Sequence, residues 1–260
     1  MTTRLQETIN DDSADISLLE AISCLSPRAN AAGQPGKLAL GINRQTLPGA
    51  QFERKLRHTL NTHYHNLLVQ LPPMLQERFP RLSIHAQQTF SLTLLLLRLL
   101  NLSEEQQTTI ALAAFFHDIG KLEIDERLLD KPGEFTPQEF ALIKGHPAAG
   151  ANLLNRYTSL SDAAALVYHH HECWDGRGYP DGLAGEAIPL GARIIAIADA
   201  FDAMTSNRVY QSQRTPREAF EELQRCAGTQ FDPLLAQLFC AGKLIAARRT
   251  SIARSYPANH

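Results

Sequence analysis

The chain has 260 residues, 44% hydrophobic and 20% charged, and its 25 basic and 27 acidic residues give a formal net charge of −2. That composition excludes a disordered or collagen-like chain, and the charge balance gives no footing for DNA or an anionic membrane as partner. A chain of this size removes roughly 73% of its extended surface from water on folding, enough for a large core.

From the N-terminus, Asp15 to Leu25 reads as a short amphipathic helix. The segment Ser26 to Ala50 carries Pro27, Gly33, Pro35, Gly36, Gly41, Pro48 and Gly49 and reads as irregular, apart from a short strand at Leu38 to Ile42. Helical spacing returns from Phe52 to Leu71 through Leu56, Leu60, Leu67 and Leu68, and Pro72-Pro73 stops it. Leu82 to Leu100 predicts a helix. Ser103-Glu-Glu-Gln106 predicts a capping box opening the next, through Ile110 to Phe116. Thr136-Pro137-Gln-Glu139 and Thr215-Pro216-Arg-Glu218 repeat the device with Pro at the first helical position, and Asp232-Pro233 does so more weakly. Nothing after Ala50 alternates with period two. The expected fold class is all-α, with a small N-terminal region over residues 1–70, suited to a sensory or dimerisation role. A helical domain follows over 71–245, and a basic tail over 246–260.

The four cysteines, Cys24, Cys173, Cys226 and Cys240, lie far apart with no C-x-x-C pair, which speaks against a zinc ribbon or a disulfide scaffold. The N-terminus lacks the basic-then-apolar order of a signal peptide, and the apolar run Ser91 to Leu102 contains Arg98 and is too short to span a bilayer. The expectation is a soluble cytoplasmic protein with no membrane span.

Four places carry candidate chemistry. His117-Asp118 follows an apolar helix, where a buried carboxylate needs a pair or a metal; alone, this reads more readily as a structural pair, with Gly120-Lys121 as a helix end. His146 precedes a proline and alone is a cap residue. His169-His170-His171-Glu172 follows the apolar run Ala163 to Val167, and two neighbouring imidazoles at a helix end can reach one ion. Asp199 and Asp202 are three apart on an apolar helix and share a face. Together these supply at least four histidines and two aspartates and no thiolate, a donor set that suits Fe, Mn, Ni or Zn. It suffices for two metals sharing a carboxylate, a recurrent device for phosphate-ester hydrolysis.

The motif His117-Asp118-Ile-Gly-Lys121, with His170-His171-Glu-x-Trp-Asp175-Gly-x-Gly178-Tyr179-Pro180, resembles the HD-GYP family of cyclic-di-GMP phosphodiesterases, within the HD superfamily of metal phosphohydrolases. The likeness covers about residues 80 to 240 and extends through Lys131-Pro-Gly133, His146-Pro147, Ala198-Asp-Ala-Phe-Asp-Ala203, Thr205-Ser-Asn-Arg208-Val-Tyr210 and Ala227 to Pro233. It implies an HD-type helix bundle and a phosphodiesterase opening cyclic di-GMP to linear pGpG and, if a second bond is cut, GMP. It also implies two divalent metals per chain, iron or manganese. His85, 32 residues before His117, fits the family's first histidine. The implied ligands are His85, His117, Asp118 and Asp199 for one metal, and Asp118, His146, His170 and His171 for the other. Lys121 is implied to contact the scissile phosphate beside Asp118, and Arg208 and Gln211 to meet substrate. The Gly178-Tyr179-Pro180 loop is implied to shape the pocket, and His169 to fall outside it.

The chain departs from the family pattern at three places. Arg81 stands where one subgroup has a glutamate for a third metal; it would pair with Asp202 or a phosphate, or face solvent. Gln211 replaces a lysine, and Cys173 lies beside the ligands as either an inert or an oxidation-sensitive thiol. Alternatives to turnover of cyclic di-GMP are an HD phosphohydrolase of another nucleotide, or an adaptor binding cyclic di-GMP, a diguanylate cyclase or another signalling protein. A homodimer is compatible with any of these readings.

Overall fold

The computed structural model describes residues 51–60 except Glu53 and Arg57, then 79–206 and 213–242. The expected helix at Asp15 to Leu25, the irregular stretch to Ala50 with its strand, and the basic tail lie outside the described residues. Within them the chain is helical, without a strand, as the missing period-two alternation predicts; isolated bridges join Asp175 with Ala184 and Ala227 with Phe231.

Helix α1 spans Pro80–Leu97 and α2 Glu104–Phe116. A 3-10 turn at Ile119–Glu123 and a short α3, Glu126–Leu129, follow. Next come α4 (Pro137–Ile143), α5 (His146–Leu154), α6 (Ser161–His169), α7 (Leu190–Thr205) and α8 (Pro216–Arg225). The described residues between 51 and 60, and residues 233–242, are also helical.

All three capping boxes form: Ser103 with Gln106, Thr136 with Glu139 and Thr215 with Glu218. Asp232 accepts from the N–H groups of Leu234 and Leu235 at 2.9 and 3.2 Å and caps the helix after Pro233. Helix α1 starts two residues before the expected Leu82, because Pro80 at N1 lacks only an N–H that would have no helical partner there. It also stops before Leu100. Leu99 and Leu100 turn back onto the carbonyls of Leu96 and Leu97, tightening the last turn.

Helix α2 is the centre of the bundle. Its polar first turns face out, and from Ile110 to Phe116 every side chain is buried, against α1, α6 and α7. A helix apolar on all sides can only be an interior one. Phe52, Leu56 and Leu60, one turn apart, join the same core. Gly120 lets the 3-10 turn lie on α5: a Cβ there would sit 2.0 Å from the His146 carbonyl oxygen and 2.5 Å from the Gly150 nitrogen. The end of α2 and the start of α5 are thereby locked together, and each carries a candidate ligand. No helix among the described residues is long and apolar enough to cross a membrane.

Candidate metal centre

Three histidines owe their orientation to helix ends. His117 is the C-cap of α2, His146 begins α5 straight after α4, and His170 is the C-cap of α6. The last carbonyls of a helix lack helical donors. Each imidazole uses one: Nδ1 of His117 donates to the Ala114 carbonyl at 2.9 Å, His146 to Ile143 at 2.7 Å and His170 to Val167 at 2.6 Å. In every case the acceptor is three residues back. That bond fixes the tautomer, so each Nε2 is a bare lone pair. All three rings are buried.

These lone pairs converge. Nε2 of His117 lies 3.2 Å from Nε2 of His85, and Nε2 of His146 lies 3.3 Å from Nε2 of His170. Asp118, the residue after His117, stands between the two pairs. Its Oδ1 is 3.1 Å from His146, and its Oδ2 is 3.5 Å from both His85 and His117. Asp199 on α7 closes the first group, 3.0 Å from His85 and 3.8 Å from His117. His171 packs on the second, its ring centroid 4.0 Å from that of His170. Two sets of donors result, Asp118 with His146, His170 and His171, and His85 with His117 and Asp118, each spanning no more than 4.8 Å. Facing lone pairs at such distances repel unless a cation lies between them, so imidazole and carboxylate donors in this arrangement fit a divalent metal.

Electrostatics agree with that reading for Asp118 and for the imidazoles of His117, His170 and His171. Burial opposes the charge on Asp118, yet Lys121 and the imidazoles of His117 and His146 hold its carboxyl well below the usual carboxylate range. Burial pushes the His117 and His170 imidazoles down and His171 to about 4, keeping them neutral and free to donate lone pairs. His85 runs the other way: despite burial, its bonds to Asp199 and Asp202 raise it to about 10.

Lys121 sits at the rim, Nζ 2.6 Å from Asp118 Oδ2. The Gly178-Tyr179-Pro180 loop folds over the second group, with the Tyr179 ring stacked on His171 at 4.9 Å. Two glycines let the loop reach there. Gly176 has φ +80°, and a Cβ on Gly178 would meet the Cys173 nitrogen at 2.2 Å. Next to His170, His171 and Asp199 opens a cleft of about 330 Å³, also lined by Met204, Arg214 and Phe231. Arg208 and Gln211 lie outside the described residues.

Three other residues singled out in the sequence also have defined surroundings. Arg81 is exposed and pairs with Asp130 at 2.9 Å, not with Asp202, because Asp202 is engaged by His85. His169 stands apart from the converging rings, its Nδ1 3.7 Å from buried Glu172. Burial, with Asp175 and Glu172 beside it, pushes the Cys173 thiol up, the direction of an inert thiol. Sequence reasoning placed Asp202 on the right face but missed its partner; the three-residue spacing from Asp199 was the available signal.

The chain belongs to the HD domain family, whose profile matches residues 70–235. Within that family its His117-Asp118 and Gly178-Tyr179-Pro180 motifs make it an HD-GYP member. It is 42% identical over 142 residues to a cyclic di-GMP phosphodiesterase of Thermotoga maritima, covering 54% of this chain and 39% of that protein. It is 44% identical over 148 residues to the cyclic di-GMP phosphodiesterase response regulator RpfG of Xanthomonas campestris, covering 55% and 39%. A 3'3'-cGAMP-specific phosphodiesterase of Vibrio cholerae is 39% identical over 145 residues, covering 55% and 28%. The matched segment thus spans less than half the length of these relatives. Among solved structures, Bd1817, an HDG"Y"P protein from Bdellovibrio bacteriovorus, shares the fold at TM-score 0.53 and 15% identity, covering 91% of this chain and 74% of that one.

Proposed function

We propose that this chain is a metal-dependent phosphodiesterase that opens cyclic di-GMP at a phosphodiester to give linear pGpG and, on a second cut, GMP. The observation that carries the reading is Asp118, one buried carboxylate whose two oxygens face two separate sets of imidazole nitrogens. His85, His117, Asp118 and Asp199 would hold one divalent ion, and Asp118, His146, His170 and His171 a second; the donor set suits Fe, Mn, Ni or Zn, and the likeness to the HD-GYP family points to iron or manganese. When bound, such ions supply Lewis acidity, drawing charge from a phosphoryl group and making water acidic enough to attack at neutral pH.

The protein's part is positioning and charge. Lys121, on the rim beside Asp118, would stabilise the negative charge that grows on the phosphoryl oxygens. Arg208 would hold a substrate phosphate, a task for a planar donor, with Gln211 beside it. Tyr179, stacked on His171, fixes that ring and closes one wall. The cleft lined by Met204, Arg214 and Phe231 gives the nucleotide room next to the ligands. Residues 71–245 would form the catalytic unit and the segment before it a sensory or dimerisation element, in a cytoplasmic signalling protein.

A second substrate has a specific observation behind it: three of the relatives, 34–39% identical, are named 3'3'-cGAMP-specific phosphodiesterases. The deciding experiment is anaerobic purification, elemental analysis and chromatographic assay with cyclic di-GMP and 3'3'-cGAMP in parallel. Bound metal with turnover of cyclic di-GMP is expected. Metal with cleavage of cGAMP alone would move the substrate. Full metal loading without hydrolysis of either would favour the adaptor reading.

A further inference from the structure

His85 is a candidate histidine ligand that no helix end orients. It lies inside α1, where the carbonyls one turn back accept helical N–H groups, so its Nδ1 must find a partner elsewhere. That partner is Asp202 of α7, whose Oδ2 is 2.6 Å from His85 Nδ1. Asp202 is one turn beyond Asp199, which meets the opposite nitrogen of the same ring at 3.0 Å. One face of α7 therefore grips both edges of the His85 imidazole. Asp202 is itself fixed: it is 4% exposed, and its Oδ1 accepts from the Ser206 hydroxyl at 2.9 Å. With both oxygens committed, Asp202 is not free to take a third metal in place of the glutamate that Arg81 displaces.

We propose that Asp202 is the positioning residue of the metal position built on His85, orienting that imidazole and strengthening it as a donor, so that the two metal positions differ in affinity through a residue that ligates neither. The inference rests on the two-metal reading of the site. The asymmetry lies in the hydrogen bonds: His117, His146 and His170 each rely on a neutral backbone carbonyl, whereas His85 relies on a carboxylate. A carboxylate partner raises the basicity of a ligating imidazole, and loss of such a partner typically costs about 10–100-fold in metal affinity.

The test is metal binding by the full chain, stripped and then titrated anaerobically with Mn2+ against a chelating indicator. The proteins are wild type, Asp202→Asn, Asp202→Ala, His85→Ala and the double variant His85→Ala/Asp202→Asn. Asp202→Asn keeps the shape and an acceptor, so it reports on charge even if Asp202→Ala folds poorly. The expected result is about a 10–100-fold weakening of one binding step in Asp202→Asn with the other step unchanged. The same substitution should have no further effect once His85 is Ala. A melting scan of the stripped proteins accompanies the titration, since a purely structural role would lower the melting temperature and weaken both steps together. Equal weakening of both steps, or wild-type affinity in Asp202→Asn, overturns the proposal while leaving the two-metal reading standing. Wild type that takes up no metal overturns the two-metal reading itself, and this proposal with it.

Discussion

At the scale of single residues, the site turns on how each ionisable group is held. Asp118 is buried between two sets of imidazoles, with one oxygen toward each. Asp118→Ala is expected to abolish turnover and to lower metal content below half of wild type, read by elemental analysis and chromatographic assay; full activity would refute the shared-carboxylate site. Lys121 and Arg208 separate differently. A cation at the reacting phosphoryl acts mainly in the transition state, whereas one that grips a remote phosphate acts equally before and after it. Lys121→Ala should therefore lower kcat, and Arg208→Ala should raise KM. The same kinetic pattern in both variants would show this division of roles to be wrong.

At the scale of elements, ligand placement depends on where helices end and how closely their ends approach. His117, His146 and His170 are aimed because each follows three residues after a helix-terminal carbonyl. The approach of the 3-10 turn to α5 depends on Gly120, whose φ is not positive; it is needed for space and not for turn conformation. Gly120→Ala should force the turn away from His146, lowering stability by at least about 1–3 kcal/mol, a typical overpacking cost, and weakening metal binding as well. Calorimetry with metal titration checks both. By contrast Ser103→Ala, which removes the α2 cap far from the metal cluster, should cost about 1 kcal/mol and leave metal affinity unchanged. If Gly120→Ala behaved like Ser103→Ala, the close approach would have no bearing on the site.

At the scale of the whole molecule, the cluster links stability to pH. In chelated protein, His117, His170 and His171 have folded pKa values below 6.5, His171 near 4. The unfolded chain then binds protons first, so their contribution is lost as pH falls from about 6.5 toward 4. His85 is raised to about 10, so its contribution is present below about 6.5 and lost as pH rises through 10. The melting temperature in excess chelator should therefore peak near neutrality and fall on both sides, with His85→Ala flattening the alkaline side. A profile level from pH 4 to 10 would refute it. Elsewhere, the Arg193–Asp232 pair, buried at 2.7 Å, joins α7 to the cap of the last described helix while Arg193 lies over Trp174. Removing Asp232 alone should cost about 3–5 kcal/mol, because it leaves a buried guanidinium unpaired.

Much of this was legible along the chain because it is local. A capping box needs only four consecutive residues, so Ser103, Thr136 and Thr215 announce their helices before any fold exists. The absence of period-two alternation fixes the class, and the capping box at Ser103 running into Ile110 to Phe116 announces a helix. The histidines and aspartates were visible as donors for the same reason: residue type and motif spacing are properties of the sequence. What the sequence left open depends on contacts between segments far apart in it. Gly120 reads as a helix end until α5 lies against it. Arg81 and Asp202, 121 positions apart, look like complementary charges until folding gives Arg81 to Asp130 and Asp202 to His85. The number of donors within reach of Asp118 is likewise set by how α1, α2, α5, α6 and α7 converge. Local sequence determined which groups can donate; only the packing of helices decided which lone pairs meet.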